Sequence, residues 1–413
     1  MVMPDFDPSA IIEGRTPGRP RAGFITGTVV AIGCGMILLG ADLLQSVDVR
    51  HSVAPFFIAL PFALLPVPLL VALVLLADRL EPEPRINLVF AFAWGAGIAA
   101  LLATVINTAG FLFITQPDLG KTTGEYISAT LGAPVVEESL KGLALIVLLW
   151  RRRQELDGPT DGIIYAAMVG IGFAMSENLG YYIDALVRPE VGGVQLLGIT
   201  FVLRGVLSPF AHPIFTSMTG IGVAYAATHR HGRWAVVVGL LAAMGLHGMW
   251  NALTAFGFAG LAIAYVILAC VFAGLIGVII ADRRRIVRLI WRFLPVYEST
   301  GLVTEADLRM LSTLRERRAA RRWARSIGGR AAASAMEDYQ LAATELALLH
   351  LRQERRVIAP DEFEERRRAL LRLMAVARSA FFRQQPEPPQ PPWAVRAQSG
   401  FGRHRQGPAW ETR

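Results

Sequence analysis

Cysteine is almost absent from this 413-residue chain. The two present, Cys34 and Cys270, both fall inside apolar runs. A disulfide framework and a cysteine-rich metal site are thereby excluded. Lysine is just as scarce, since Lys121 and Lys141 are the only lysines among 41 basic residues. Charged residues make up only 18% of the chain, and arginines crowd into loops and the last third. No HExxH helix motif occurs, so the most specific sign of a zinc peptidase is missing. Nor does a short hydrophobic core with a small-residue cleavage site follow Met1, so the first apolar run is expected to be retained. No internal repeat stands out.

What fills the chain instead is apolar sequence. Hydrophobic residues account for 53%, and mean hydropathy is +0.43. Long runs at about 24–44, 55–77, 87–115, 126–150, 162–186, 196–228, 234–256 and 258–281 predict eight membrane spans. The expected fold is an all-α, polytopic transmembrane helical bundle, followed by a small helical region. Four segments are expected: a disordered cytoplasmic N-terminus (1–23), a transmembrane domain (24–281), a cytoplasmic helical region (282–383) and a disordered proline-rich tail (384–413). Thr304-Glu305-Ala306-Asp307 reads as a capping box opening the third of these. Arginines before the first span, at Arg79 and Arg85, at 151–153, at Arg230 and Arg233, and at 283–285 all fall on one side, which predicts that both termini are cytoplasmic. The net charge of +8 then implies contact with anionic membrane lipids rather than nucleic acid.

One run breaks the apolar rule. Glu137-Glu138-Ser139-Leu140-Lys141 lies in the middle of the fourth span. A charge at mid-bilayer costs roughly 2.5–3.5 kcal/mol on insertion scales, so three together predict a polar, protein-lined site. Helical spacing places Lys141 one turn from both carboxylates, and either one can hold the ammonium. Comparable depth is reached by Glu177 and Asn178 in the fifth span, His212-Pro213 in the sixth, and His247 and Asn251 in the seventh. Pro209 and Pro213 predict a break in the sixth helix. Asn107 in the third span is within reach of the same depth. Such a set supplies a carboxylate or imidazole base toward water, with imidazole or amide donors for an oxyanion. It equally supplies ligands for a divalent metal such as zinc, through His212, His247 and one or two glutamates, Glu177 among them. Bundle cohesion alone would use fewer polar groups. The alternatives are a proton- or metal-coupled transporter, which also places Glu, His and Lys at mid-membrane, and a non-enzymatic membrane scaffold.

Glu137-Glu138-x-x-Lys141, Phe173-x-x-x-Glu177-Asn178, His212-Pro213 and His247-x-x-x-Asn251 together resemble the PrsW family of intramembrane proteases, over about residues 78–281. That group is related to the CAAX-processing and bacteriocin-processing membrane peptidases. The resemblance implies hydrolysis of a peptide bond in a membrane-anchored protein substrate, an anti-sigma factor in the namesake branch, and a place in the inner (plasma) membrane. It also implies Glu137, Glu138, Glu177, His212 and His247 as the catalytic or metal-binding set, supported by Lys141, Phe173, Asn178 and Asn251. Glutamate-type and metal-dependent mechanisms are both described for such relatives. Asn251 departs from the aspartate the resemblance suggests, so an amide donor to the substrate carbonyl is expected there.

Overall fold

The computed structural model describes residues 8–12, 22–78, 82–187 and 193–382. The tail expected from 384 onward lies outside them. Within the described residues there is no strand, and every element is helical.

A short helix α1 (Pro8–Ile12) precedes α2 (Ala22–Arg50). Next, α3 (Ala54–Leu64) and α4 (Val67–Ala77) make one span. α5 (Arg85–Trp94), α6 (Ala100–Gly110) and α7 (Gln116–Leu119) follow through two π-helical turns. α8 (Lys121–Ile127) leads through another π-helical turn into α9 (Ala133–Arg151), whose start is favoured by Pro134. α10 (Pro159–Val187) is next, then α11 (Val194–Phe201), which ends in a π-helical turn and a break at 208–210 before α12 (Ala211–Thr228). α13 (Trp234–Thr254) and α14 (Gly257–Phe293) complete the bundle. The sixth run is thus broken at Pro209, with Pro213 in the first turn of α12, where a missing N–H costs nothing.

Seven of these segments are long and apolar enough to cross a membrane. They correspond to seven of the eight expected runs. The remaining run is helical too, but α9 carries Glu137, Glu138, Lys141 and Arg151, which lower its hydropathy below that of its neighbours. Its charged face points inward, so apolarity alone does not find it.

The bundle is organised around α10, which packs on α2, α3, α5, α9, α11, α12 and α14. A helix apolar all round is a buried one. Its most extensive neighbour is α12: a Cβ added at Gly162 would sit 2.1 Å from the Gly220 carbonyl oxygen, and one at Gly170 would sit 2.6 Å from the Pro213 nitrogen. Small residues at these crossings let the two backbones touch. The second contact sets His212 at the level of α10 two turns before Glu177.

Beyond α14 come α15 (Glu305–Leu311), α16 (Leu314–Glu354) and α17 (Pro360–Phe382). The expected capping box is present: Thr304 Oγ1 accepts from Asp307 N (3.2 Å), and Asp307 Oδ2 accepts from Thr304 N (2.8 Å). α16 turns at Gly328 and Gly329, the latter with φ +66°. These helices share a core of Leu308, Tyr339, Leu346, Leu370 and Phe381 among others. The expectation of a disordered N-terminus needs correcting at 8–12. There α1 is helical, because Ile11 and Ile12 bury apolar surface on that same core. An ionic seam joins the C-terminal helices to the bundle: Arg352 Nε donates to Asp157 Oδ1 (2.6 Å), and Arg285 Nη2 to the Asp157 carbonyl (2.7 Å). Asp157 lies in the connection between α9 and α10, the two helices that carry the site glutamates.

Candidate active site

Lys141 is fully buried and stands at the centre of the polar cluster. An ammonium has three protons to give, and three acceptors surround it. Its Nζ lies 3.3 Å from Glu137 Oε2, 2.8 Å from Glu138 Oε1 and 3.0 Å from His212 Nδ1. The fourth side is closed by the face of Phe173, 3.8 Å from Nζ to ring centroid. Lys141 therefore holds both carboxylates rather than one. Phe173 acts as the wall of the cation's cage.

The pattern of donors fixes the two imidazoles. His212 accepts at Nδ1 from the ammonium, so its proton sits on Nε2 and is donated to Glu177 Oε2, 2.8 Å away. His247 donates from Nδ1 to Glu138 Oε1 (3.1 Å). Its Nε2 lone pair is then free and faces Glu137 Oε2 across 3.9 Å. Glu138 is further held by Thr216 Oγ1 at 2.9 Å. Phe215 stacks on the His247 ring, with centroids 5.0 Å apart. The rings of His212 and His247 stand perpendicular at 5.1 Å.

The structure brings Glu137, Glu138, Lys141, Phe173, Glu177, His212 and His247 together from α9, α10, α12 and α13. Asn107 joins them, donating to Glu137 Oε1 at 3.3 Å. Asn178 is engaged by Arg204, whose Nε donates to its Oδ1 at 2.7 Å. Asn251 lines the pocket, yet its amide donates to the Ala129 carbonyl at 2.8 Å. In this arrangement that donor is committed to the backbone of the π-helical turn before α9 rather than offered to an oxyanion. The spatial cause is the close pass of α13 against the turn before α9, where a Cβ at Gly248 would lie 2.6 Å from the Thr130 carbonyl.

The two histidines expected as metal donors, His212 and His247, lie beside Glu137. Glu137, His212 and His247 each present a ligand atom, all within 4.8 Å of one another and all three residues buried. Glu177 does not complete that set. Its Oε2 is taken by Arg204 and by His212. Arg204 is the residue sequence reasoning missed: it lies in the π-helical turn after α11, pairs with Glu177 and stacks on Tyr181, 3.8 Å to the ring centroid. An arginine inside an apolar run is itself a signal of a buried partner.

A cavity of about 80 Å³ opens onto these groups, lined by Glu137, Glu177, Arg204, His212, His247 and Trp250 among others. That is space for a few waters or a short stretch of polypeptide backbone. Residues 83–276 match the profile of a family described as PrsW family intramembrane metalloprotease. That segment is similar to the PrsW family. Curated relatives agree, each named Protease PrsW. The one from Geobacillus kaustophilus is 27% identical over 178 residues, 43% of this chain and 70% of the relative. The one from Clostridioides difficile is 28% identical over 178 residues, 42% of this chain and 69% of the relative. For Oceanobacillus iheyensis the figures are 27% over 127 residues, 30% and 54%, so the chain spans about half of that relative. No solved structure matches the chain.

The PrsW segment runs from Glu83 to Ile276 and takes in every residue of the cluster. It makes the chain a multi-pass membrane protein and an intramembrane protease. α15, α16 and α17 lie beyond it.

Proposed function

We propose that the chain hydrolyses a peptide bond of a membrane-anchored protein substrate in the pocket bounded by Glu137, His212 and His247. The observation that carries this reading is the pairing of a carboxylate and a free imidazole nitrogen, Glu137 Oε2 and His247 Nε2, 3.9 Å apart beside a cavity. A water between them has two acceptors for its protons. As its oxygen bonds to the scissile carbonyl carbon, one proton passes to Glu137. The C–N bond then breaks, and that proton is delivered to the departing amine. Glu138 holds the His247 tautomer, and Lys141 fixes Glu137 and Glu138 on one side of the pocket. His212 Nε2–H and the Arg204 guanidinium are the donors nearest to a developing oxyanion.

A divalent metal such as zinc fits the donor chemistry of Glu137, His247 and, once its Nε2 proton has passed to Glu177, His212; two imidazoles and a carboxylate are an ordinary set for that ion. When bound, it would polarise the carbonyl and acidify water. The Glu138 carboxylate on His247 Nδ1 is the kind of outer partner that orients a ligating histidine.

The chain sits in the inner (plasma) membrane on this reading, with both termini cytoplasmic. Its substrate is a membrane-anchored regulatory protein, with an anti-sigma factor as the first to try. N-terminal proteomics on membranes and secreted peptides tests the reading, comparing wild type with an equally abundant Glu137→Gln, Glu177→Gln variant. A new N-terminus next to a transmembrane segment, found only with wild type, is the expected result. Identical peptide sets at equal expression would remove the protease reading and direct attention to transport.

A further inference from the structure

The small pocket is one end of a larger cleft. A cavity of about 490 Å³ runs between α2, α6, α8 and α10, and it shares Ala129, Ala133, Glu137, Glu177 and Tyr181 with the pocket. Five carboxylates line it: Asp42, Glu125, Glu137, Glu177 and Asp184. Among the described residues, no lysine, arginine or histidine does. Lys141 and Arg204 pair with Glu137 and Glu177, but neither lines the cleft.

Asp42 is the telling residue. It is only 9% exposed, it faces this cavity, and among the described residues its carboxylate has neither a hydrogen bond nor an ion pair. Glu125, across the cleft and exposed, is equally unpartnered. A carboxylate inside a membrane bundle normally pairs with a cation or faces a polar pathway. Among the described residues, Asp42 and Glu125 have no counter-charge on the protein side of the cleft. A ligand that brings its own cation removes the imbalance.

The opening can be located. Asp42 lies eight residues, about 12 Å, before the end of α2 at Arg50. Arg50 Nη2 donates to the Leu186 carbonyl (3.0 Å), so this end of α2 meets the end of α10 where Asp184 sits. The acidic mouth is therefore at the end of the bundle opposite the start of α2, with Glu137 and Glu177 at its inner limit.

We propose that this cleft receives the substrate segment adjoining the cleaved bond and selects segments that carry lysine or arginine. The proposal rests on the protease reading and names the substrate class of the same site. Long basic side chains suit such a cleft, because their apolar stems lie along Leu38, Ala100 and Phe111 while the charged head reaches Asp42 and Glu125. On the proposed orientation the segment is the part of the substrate just outside the membrane. Membrane proteins generally carry few basic residues there, so the requirement discriminates among them.

The test uses the full-length chain in lipid nanodiscs and one series of fluorogenic peptides. Each peptide has an apolar anchor and differs only in carrying Lys, Gln or Glu at two positions beside the cleaved bond. Wild type is expected to favour Lys over Gln peptides by about tenfold in kcat/KM, mostly through KM, and to lose that preference as salt rises. In Asp42→Asn, Glu125→Gln the preference should fall to about twofold or less while Gln peptides are still cleaved. Wild type indifferent to charge, or a double variant that keeps the preference, overturns the proposal. Glu125→Gln alone, at an exposed position, is the partner variant should Asn at position 42 impair folding; it should lose part of the preference. If wild type cleaves none of the peptides, the protease reading fails separately. Binding of the labelled Lys and Gln peptides then decides on the cleft, tighter Lys binding that Glu125→Gln weakens supporting it and equal binding overturning it.

Discussion

Glu138 and His247, 109 residues apart in the chain, are joined by a 3.1 Å hydrogen bond from His247 Nδ1 to Glu138 Oε1. The bond settles which nitrogen of His247 faces the pocket. Without it the ring is free to present an N–H where a lone pair is needed. Glu138 touches no pocket space itself and acts through the imidazole. Glu138→Gln is expected to lower kcat by about 10–100-fold, with KM little changed. A conservative Glu138→Asp variant should recover part of that loss. Steady-state kinetics on a peptide that wild type cleaves measures both. Unchanged kcat in the Gln variant would show that the His247 tautomer is not set by this contact.

Lys141 tests the same cluster from the side of stability. Removing its ammonium leaves Glu137, Glu138 and His212 Nδ1 facing one another around a vacated cage. Breaking a buried ion pair by deleting one partner costs about 3–5 kcal/mol, because the remaining charge is left without compensation. Lys141→Ala is therefore expected to lower the thermal midpoint markedly. Combining it with Glu138→Gln should restore part of the loss, since one of the opposing carboxylates is then neutral. Thermal unfolding of the two purified variants in the same detergent checks this. Equal midpoints for Lys141→Ala and wild type would mean that the cage carries no stability.

How much of this was legible in the sequence depends on the kind of signal each residue gives. Apolar runs showed the bundle because a membrane demands about 20 consecutive apolar residues. Glu137, Glu138, Lys141, Glu177, His212 and His247 stood out because each violates that demand. Their meeting at one depth followed from counting rise per residue. What counting could not supply is direction. Whether Glu137 or Glu177 joins the two histidines turns on Arg204, which engages Glu177 from a π-helical turn that no residue pattern announced. The sequence suggests Asn251 as a donor to substrate, yet its amide serves the turn before α9, because only the folded chain brings Ala129 beside it. Helix α1 escaped notice for a different reason: five residues are too few to show periodicity, and its order comes from the core it covers.

The donor set makes a distinguishing statement about metal. Glu137, His212 and His247 cluster, whereas Glu177 is occupied by Arg204 and His212. Protein purified with zinc present is expected to retain the ion in wild type and in Glu177→Gln. His247→Ala and His212→Ala should each lose it, and Glu137→Gln should hold it less tightly. Elemental analysis after gel filtration reads the stoichiometry without any need for activity. Retention by His247→Ala would place the ion elsewhere in the chain.

The connection between α4 and α5 makes stability depend on pH. Asp78 is buried there, with Oδ2 accepting from the Glu83 backbone N–H (2.9 Å) and Oδ1 without a partner among the described residues. Burial raises its pKa from 3.8 to about 7, against the lowering effect of that backbone bond. Burial also raises Glu83 well above its ordinary value, reinforced by the nearby charges of Asp161, Asp78 and Glu155. Both acids therefore keep protons in the folded protein at a pH where the unfolded chain has released them. Stability falls wherever the folded state binds more protons than the unfolded one and the pH is rising. The contribution of Asp78 is thus fully present below about pH 4 and is lost progressively as pH climbs to about 7. Thermal midpoints taken from pH 5 to pH 8 should decline, and Asp78→Asn should flatten the slope because an amide stays neutral throughout. The same substitution removes a like charge next to Glu83, so the variant should also be the more stable of the two at pH 8. A slope identical in both proteins would place the titrating group outside this turn.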